Sequence, residues 1–162
     1  METISKNASE REFQDKFVRE LSKFKWQTPQ HLNGNLHKVT VQDLINNWRS
    51  ELNRMNADVL EGVALTDSEF DQVMTKVKQI SNSYEAAKIL SMEGSTGKID
   101  GIYRDQHPHV TKKQITLTIL KKAQVSGGDS SYQVAREALS DNGNLFDLVL
   151  LINGLPLINI EQ

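Results

Sequence analysis

Two carboxylates near the end of this sequence, Asp147 and Glu161, have the types and the spacing to hold a divalent cation. They flank two apolar runs, residues 146–152 and 155–160, joined by Asn153-Gly154, the dipeptide most characteristic of a two-residue hairpin turn. Both lie far from the turn, so folding the hairpin carries them toward each other at its open end. Two carboxylates converging among apolar neighbours repel and are costly to desolvate without a cation. Magnesium prefers oxygen ligands, activates water and polarises phosphate. On spacing alone, a pair of strand-end carboxylates in water remains an open alternative. Register sets a further condition. A plain two-residue turn puts Asp147 opposite Ile160 and turns Glu161 to the other face. Bringing both onto one face requires an odd loop, such as a three-residue turn with a bulge, or divergence of the Asp147 strand.

The elements that must position this pair change character along the chain. The first half reads as helices, about residues 1–93. Ser9 with Glu12 has the form of a capping box, followed by Phe13, Phe17, Val18 and Leu21 at helical spacing. Residues 26–38 contain Pro29 and Asn33-Gly34 and are expected to be a loop or short hairpin. Thr40 with Asp43 starts a second helix with Leu44, Ile45, Trp48, Leu52 and Met55 on its apolar face. Thr66 with Glu69 caps a third, and a fourth runs near 84–92 to a stop at Gly94. The second half, about 98–162, reads as strands. Ile115, Leu117 and Ile119 alternate with threonines, and residues 132–137 are expected to pair with them. The continuous apolar character of the last hairpin predicts burial on both faces near the centre of its sheet. The fold class expected is α/β (α+β), one domain over 1–162.

Composition narrows the function classes. There is no cysteine, which excludes disulfides, thiolate metal sites and a cysteine nucleophile. No apolar run reaches the length of a membrane span, and the N-terminus lacks a secretory pattern, so a cytoplasmic chain with no membrane partner is expected. A net charge of -2 argues against a protein that coats nucleic acid. The stretch from Lys98 to Arg136 nevertheless has a basic excess, and Lys112, Lys113, Lys121 and Lys122 are candidate phosphate contacts. The same lysines equally suit a solvated sheet edge guarded against aggregation.

The segment Phe146-Asp147-Leu148-Val149-Leu150-Leu151-Ile152-Asn153-Gly154-Leu155-Pro156-Leu157-Ile158-Asn159-Ile160-Glu161 resembles the nuclease core of type I restriction enzyme R subunits. That family belongs to the PD-(D/E)XK nucleases, with an Asp strand, an Asn-Gly-Leu-Pro turn and a strand ending in Glu-x-Lys. The segments Leu65-Thr66-Asp67-Ser68-Glu69-Phe70, Ile115-Thr116-Leu117 and Tyr132-Gln133-Val134 are similar to it more weakly. The resemblance implies a restriction-endonuclease-like mixed β-sheet flanked by helices. It further implies that Asp147 and Glu161 are catalytic ligands of Mg2+ in cleavage of double-stranded DNA, making the chain part of a type I site-specific deoxyribonuclease. The implied partners are modification and specificity subunits, with ATP used by a motor region outside this sequence. The family's Lys would follow Gln162, so the sequence is expected to be truncated in the catalytic strand and inactive alone. Many such nucleases place a Glu on the first helix. Glu10 and Glu12 are candidates, more simply explained as surface caps, while Gln14 is the position that aligns best.

Other signals carry less. Gly94-Ser95-Thr96-Gly97-Lys98 fails the phosphate-loop pattern, since Met92 and Ile99 stand where a Gly and a Ser or Thr are needed. His107-Pro108-His109 has ligand types without a further ligand nearby in sequence. Trp26 and Trp48 suit packing better than base stacking. A non-catalytic DNA- or subunit-binding module with the same fold is the competing class.

Overall fold

The computed structural model describes residues 2–121 and 128–161, with side chains described at 9–90, 96–121 and 128–161. The described elements are α1 (Glu2–Ser22), β1 (Trp26–Gln27), a 3-10 turn (Gln30–Leu32), β2 (Val39–Thr40), α2 (Val41–Met55), α3 (Asp67–Lys78), α4 (Ser83–Ser95), β3 (Thr96–Tyr103), β4 (Gln114–Lys121), β5 (Tyr132–Leu139), β6 (Leu145–Ile152) and β7 (Leu155–Ile160). The fold is mixed α/β. It divides into two compact units, residues 1–48 with 131–162, and residues 49–130.

The first unit is built on a sheet in the order β1-β5-β6-β7, with β2 also pairing β5. β5 and β6 are antiparallel, whereas β1 and β2 each run parallel to β5. Residues 26–40 therefore trace one edge of β5 and touch it three times, through β1, a bridge from Asn33 to Arg136, and β2. The expected loop or hairpin is thus an edge segment of the sheet, not a hairpin. Gly34 makes the approach possible. Its amide donates to the Arg136 carbonyl at 2.9 Å, and a Cβ there would stand 2.3 Å from the same oxygen.

Each face of this sheet has its own apolar cluster. Val134, Leu148 and Leu150 pack with Phe17, Val18 and Leu21 of α1, while Ala135, Val149 and Leu151 pack with Leu32, Val39 and Leu44 of α2. Strand alternation sends Val134 and Ala135 to opposite faces, so helices flank the sheet on both sides. Ala138 joins the cluster of Ala135, three residues away, which regular alternation forbids. Glu137 between them has φ 51, a left-handed backbone that breaks the pleat.

Helix α1 starts well before the expected cap. Ser9 and Glu12 lie inside it, so neither they nor Glu10 cap its start. Nothing between Glu2 and Ala8 is a Pro or Gly, so no residue there stops the helix from extending. The start of α2 is as expected. Asp43 Oδ2 accepts from the Thr40 amide at 2.8 Å and from its hydroxyl at 2.7 Å. These bonds hold the Asp43 carboxyl below the usual carboxylate range.

The second unit holds the C-terminal part of α2, helices α3 and α4, and the antiparallel pair β3-β4. Thr66 and Glu69 form the full reciprocal capping box of α3. Helix α4 continues one residue past Gly94, to Ser95. Ile99, Ile102, Ile115, Leu117 and Ile119 are buried on one face of the β3-β4 pair, matching the predicted alternation. Residues 132–137, expected to pair with this strand, instead belong to the other sheet. Asn56, 1% exposed, joins helix to strand: its Nδ2 donates to the carbonyls of Leu52 and Thr118, and its Oδ1 accepts from the Thr118 amide. The side chains of Glu69 and Arg104, both 1% exposed, form an ion pair at 2.8 Å. Arg104 also donates to the carbonyls of Leu60 and Val63, and Glu69 accepts from the Asp105 amide.

Candidate metal centre on the last hairpin

The turn at Asn153-Gly154 is the predicted one. Ile152 faces Leu155, and the two turn residues have φ 53 and 76, as a type I′ turn requires. Asn153 is also buried; its Oδ1 accepts from the Ser131 amide and its own amide donates to the Ser131 carbonyl, both at 3.0 Å. These bonds tie the turn to the start of β5.

Beyond the turn the register shifts by one residue. Leu151 lies opposite Pro156, but Leu150 lies opposite Ile158, so Leu157 is an extra residue in β7. This is a β-bulge, and its position has a physical cause. Pro156 has no amide to donate, and β7 is the edge strand of its sheet, where prolines and bulges are tolerated. From there Leu148 lies opposite Ile160. Continuing that ladder by one residue sets Asp147 across from Glu161. The turn has two residues, not the odd loop expected, and the change of parity comes instead from the bulge within β7.

Asp147 is half-buried and Glu161 exposed. Asn159 Nδ2 donates to Glu161 Oε1 at 3.0 Å, as expected for side chains two apart on one strand face. The β5-β6 register also sets Glu137 across from Asp147, between the pairs Arg136–Leu148 and Ala138–Phe146. Among the described residues, no three His, Asp or Glu side chains are grouped closely enough to hold a metal. The oxygen donors of Asp147 and Glu161 suit a hard cation that keeps most of its own water, as magnesium does.

The hairpin is not buried on both faces, contrary to the expectation. Leu148 to Leu151 of β6 are buried, but Pro156 to Asn159 of β7 are exposed, because β7 lies at the edge.

The remaining candidates are dispersed. Glu10 is half-buried and Glu12 exposed in the middle of α1. Gln14 is 5% exposed, and its Oε1 has no partner among the described residues. Lys112 and Lys113 are exposed just before β4, and Lys121 is exposed at its far end. At about 3.3 Å per residue, the strand holds the two ends roughly 25 Å apart. Lys122 lies outside the described residues. His107 and His109 are exposed, with ring centroids 5.5 Å apart.

One contact went unread in the sequence. Arg136, whose side chain is 9% exposed, donates from Nη2 to Asp15 Oδ1 of α1 at 2.6 Å. It lies directly across from Leu148, the neighbour of Asp147. A basic residue in an apolar strand was the available clue.

No family model matches the chain. Curated relatives do. The endonuclease subunit of type I restriction enzyme SauCOLORF180P from Staphylococcus aureus (strain COL) is 33% identical over 131 residues, covering 76% of this chain and 12% of the relative. The endonuclease subunit of type I restriction enzyme SsaAORF53P from Staphylococcus saprophyticus is 31% identical over 124 residues, covering 74% and 12%. The chain thus spans about 12% of the length of the curated relatives it matches. No described helix is long and apolar enough to cross a membrane. Over three quarters of its length, this mixed α/β chain is similar to type I restriction enzyme endonuclease subunits.

Proposed function

We propose that this chain contributes the carboxylate ligands of a magnesium-dependent centre that cleaves double-stranded DNA within a type I restriction complex. What supports this reading is the bulge at Leu157, which sets Leu148 opposite Ile160, the chain neighbours of Asp147 and Glu161. The relatives' description as endonuclease subunits gives the reaction class. Asp147 and Glu161 would hold the ion. Bound there, magnesium would supply a water of lowered pKa and polarise the phosphodiester. Asn159 orients the Glu161 carboxylate through its Nδ2 bond, leaving the second carboxylate oxygen for a ligand.

The chain by itself is proposed to bind magnesium without cutting DNA. Modification and specificity subunits, and an ATP-driven motor in a longer protein, complete the proposed system in the cytoplasm. The test is a magnesium titration of the 162-residue chain, following backbone and carboxylate resonances at Asp147 and Glu161. Saturable shifts at both, abolished by Asp147→Asn, are expected. In a longer protein that includes the motor, Asp147→Ala is expected to retain ATP hydrolysis and lose DNA cleavage. Cleavage surviving that substitution would overturn the assignment.

The absence of a three-carboxylate group among the described residues favours a second reading, a DNA- or subunit-binding module without metal. It predicts salt-sensitive binding that magnesium does not change.

A further inference from the structure

The β3 strand also has a bulge, and it places a glycine beneath two polar side chains in the second unit. Ile99 lies opposite Leu117 and Ile102 opposite Ile115, so Asp100 and Gly101 together face the single residue Thr116. Gly101 has φ 66, a conformation that favours glycine. A Cβ at Gly101 would stand 3.3 Å from Gln114 Nε2 and 3.6 Å from Lys76 Nζ. Two nitrogen donors from different elements, α3 and β4, thus converge over a position with no side chain. Neither side chain has a hydrogen-bond or ion-pair partner among the described residues.

The surroundings hold this arrangement in place. Gln72, one turn before Lys76 on α3, donates from Nε2 to the Tyr103 carbonyl and accepts the Tyr103 amide, both at 2.9 Å. It occupies the β3 backbone where another strand would pair, and it sets Lys76 beside Gly101. Tyr103, opposite Gln114, is 63% exposed. Asp100, exposed beside Gly101, and Glu61, which accepts the Lys112 amide, offset two charges against those of Lys76 and the exposed Lys112 and Lys113. Two donors over a bare backbone, with the exposed Tyr103 side chain across from Gln114, suit a phosphodiester: its two free oxygens would meet the nitrogens, and its sugar would lie against the ring.

We infer that the bulge at Gly101, with Lys76, Gln114 and Tyr103 around it, grips a backbone phosphate of double-stranded DNA. This deepens the proposed function and rests on its DNA substrate, but it uses neither Asp147 nor Glu161. The test is binding of the full chain to short duplexes of two unrelated sequences, in a chelator and across a salt series. Lys76→Gln is expected to weaken binding equally for both sequences and to lower the slope of log affinity against log salt by about 1. Gln114→Ala and Tyr103→Ala are expected to weaken binding with the slope unchanged, and Lys121→Gln to have a smaller effect. Thermal melting checks that each variant is folded. The inference is overturned if the wild-type chain does not bind duplex at low salt, or if Lys76→Gln binds as wild type. Equal losses from Lys121→Gln would overturn it too, as would shifts at Gly101 and Gln114 from inorganic phosphate alone with no effect of duplex. Because magnesium is absent, loss of this contact and failure of the metal assignment are read separately.

Discussion

Arg104 Nε donates to Glu69 Oε1 at 2.8 Å, with both side chains withdrawn from water. Glu69 also closes the α3 capping box and accepts the Asp105 amide, so its carboxylate joins a helix start to the segment after β3. Removing one member leaves a buried charge without its partner. Glu69→Gln or Arg104→Met is expected to destabilise the chain by roughly 3–5 kcal/mol. The double substitution should cost less than the sum of the two. Urea unfolding of the four variants in a double-mutant cycle measures this.

The bulge at Leu157 makes a sharper prediction. Deleting Leu157 should restore a regular ladder from the same Asn153-Gly154 turn, moving Glu161 to the opposite face from Asp147. Magnesium-induced shifts should disappear while the β6-β7 amide pairing survives, both readable in one set of spectra.

Gly34 tests the edge of β5. Its missing Cβ would sit 2.3 Å from the Arg136 carbonyl and 2.6 Å from Glu137 Cβ, both set by a strand that cannot shift freely. Gly34→Ala is expected to cost about 1–3 kcal/mol, the usual range for forced overpacking. A lowered urea midpoint with an unchanged slope would report it.

Glu61 predicts a dependence on acid. Bonds from the Thr111 hydroxyl and the Lys112 and Thr111 amides hold its carboxyl down at about 2, from 4.5. A folded-state pKa below the unfolded value stabilises above the unfolded value, and that stability is lost as pH falls from about 4.5 toward 2. The melting temperature of Glu61→Gln should therefore lie below that of wild type at pH 7. The gap should close as the pH approaches 2.

Where side chains leave a periodic or local trace, the sequence was legible. The starts of α2 and α3 were readable because Thr40 with Asp43, and Thr66 with Glu69, bond across three residues. The alternation of Ile115, Leu117 and Ile119 marked β4, and Asn153-Gly154 marked the turn. The start of α1 was hidden because nothing upstream of Ser9 breaks a helix. The edge contacts at β1 and β2 were hidden because two residues have no period. In the candidate site, Asp147 and Glu161 were visible by type. Their shared row was not, since Leu155-Pro156-Leu157-Ile158 is apolar throughout and gives no sign of which residue is extra. The Arg136–Asp15 contact joins residues 121 apart, a distance that no local pattern encodes.

Pro156 has a further consequence, for the behaviour of the molecule in concentrated solution. Among the described residues, β7 pairs only with β6, and Leu157 and Ile158 are 45% and 53% exposed. A straight, greasy outer strand is a template on which a second molecule can stack, the first step toward a fibril. The absent amide of proline and the kink next to it spoil that template. The bulge that shifts the register of the hairpin thereby also disfavours pairing along the outer edge of the strand.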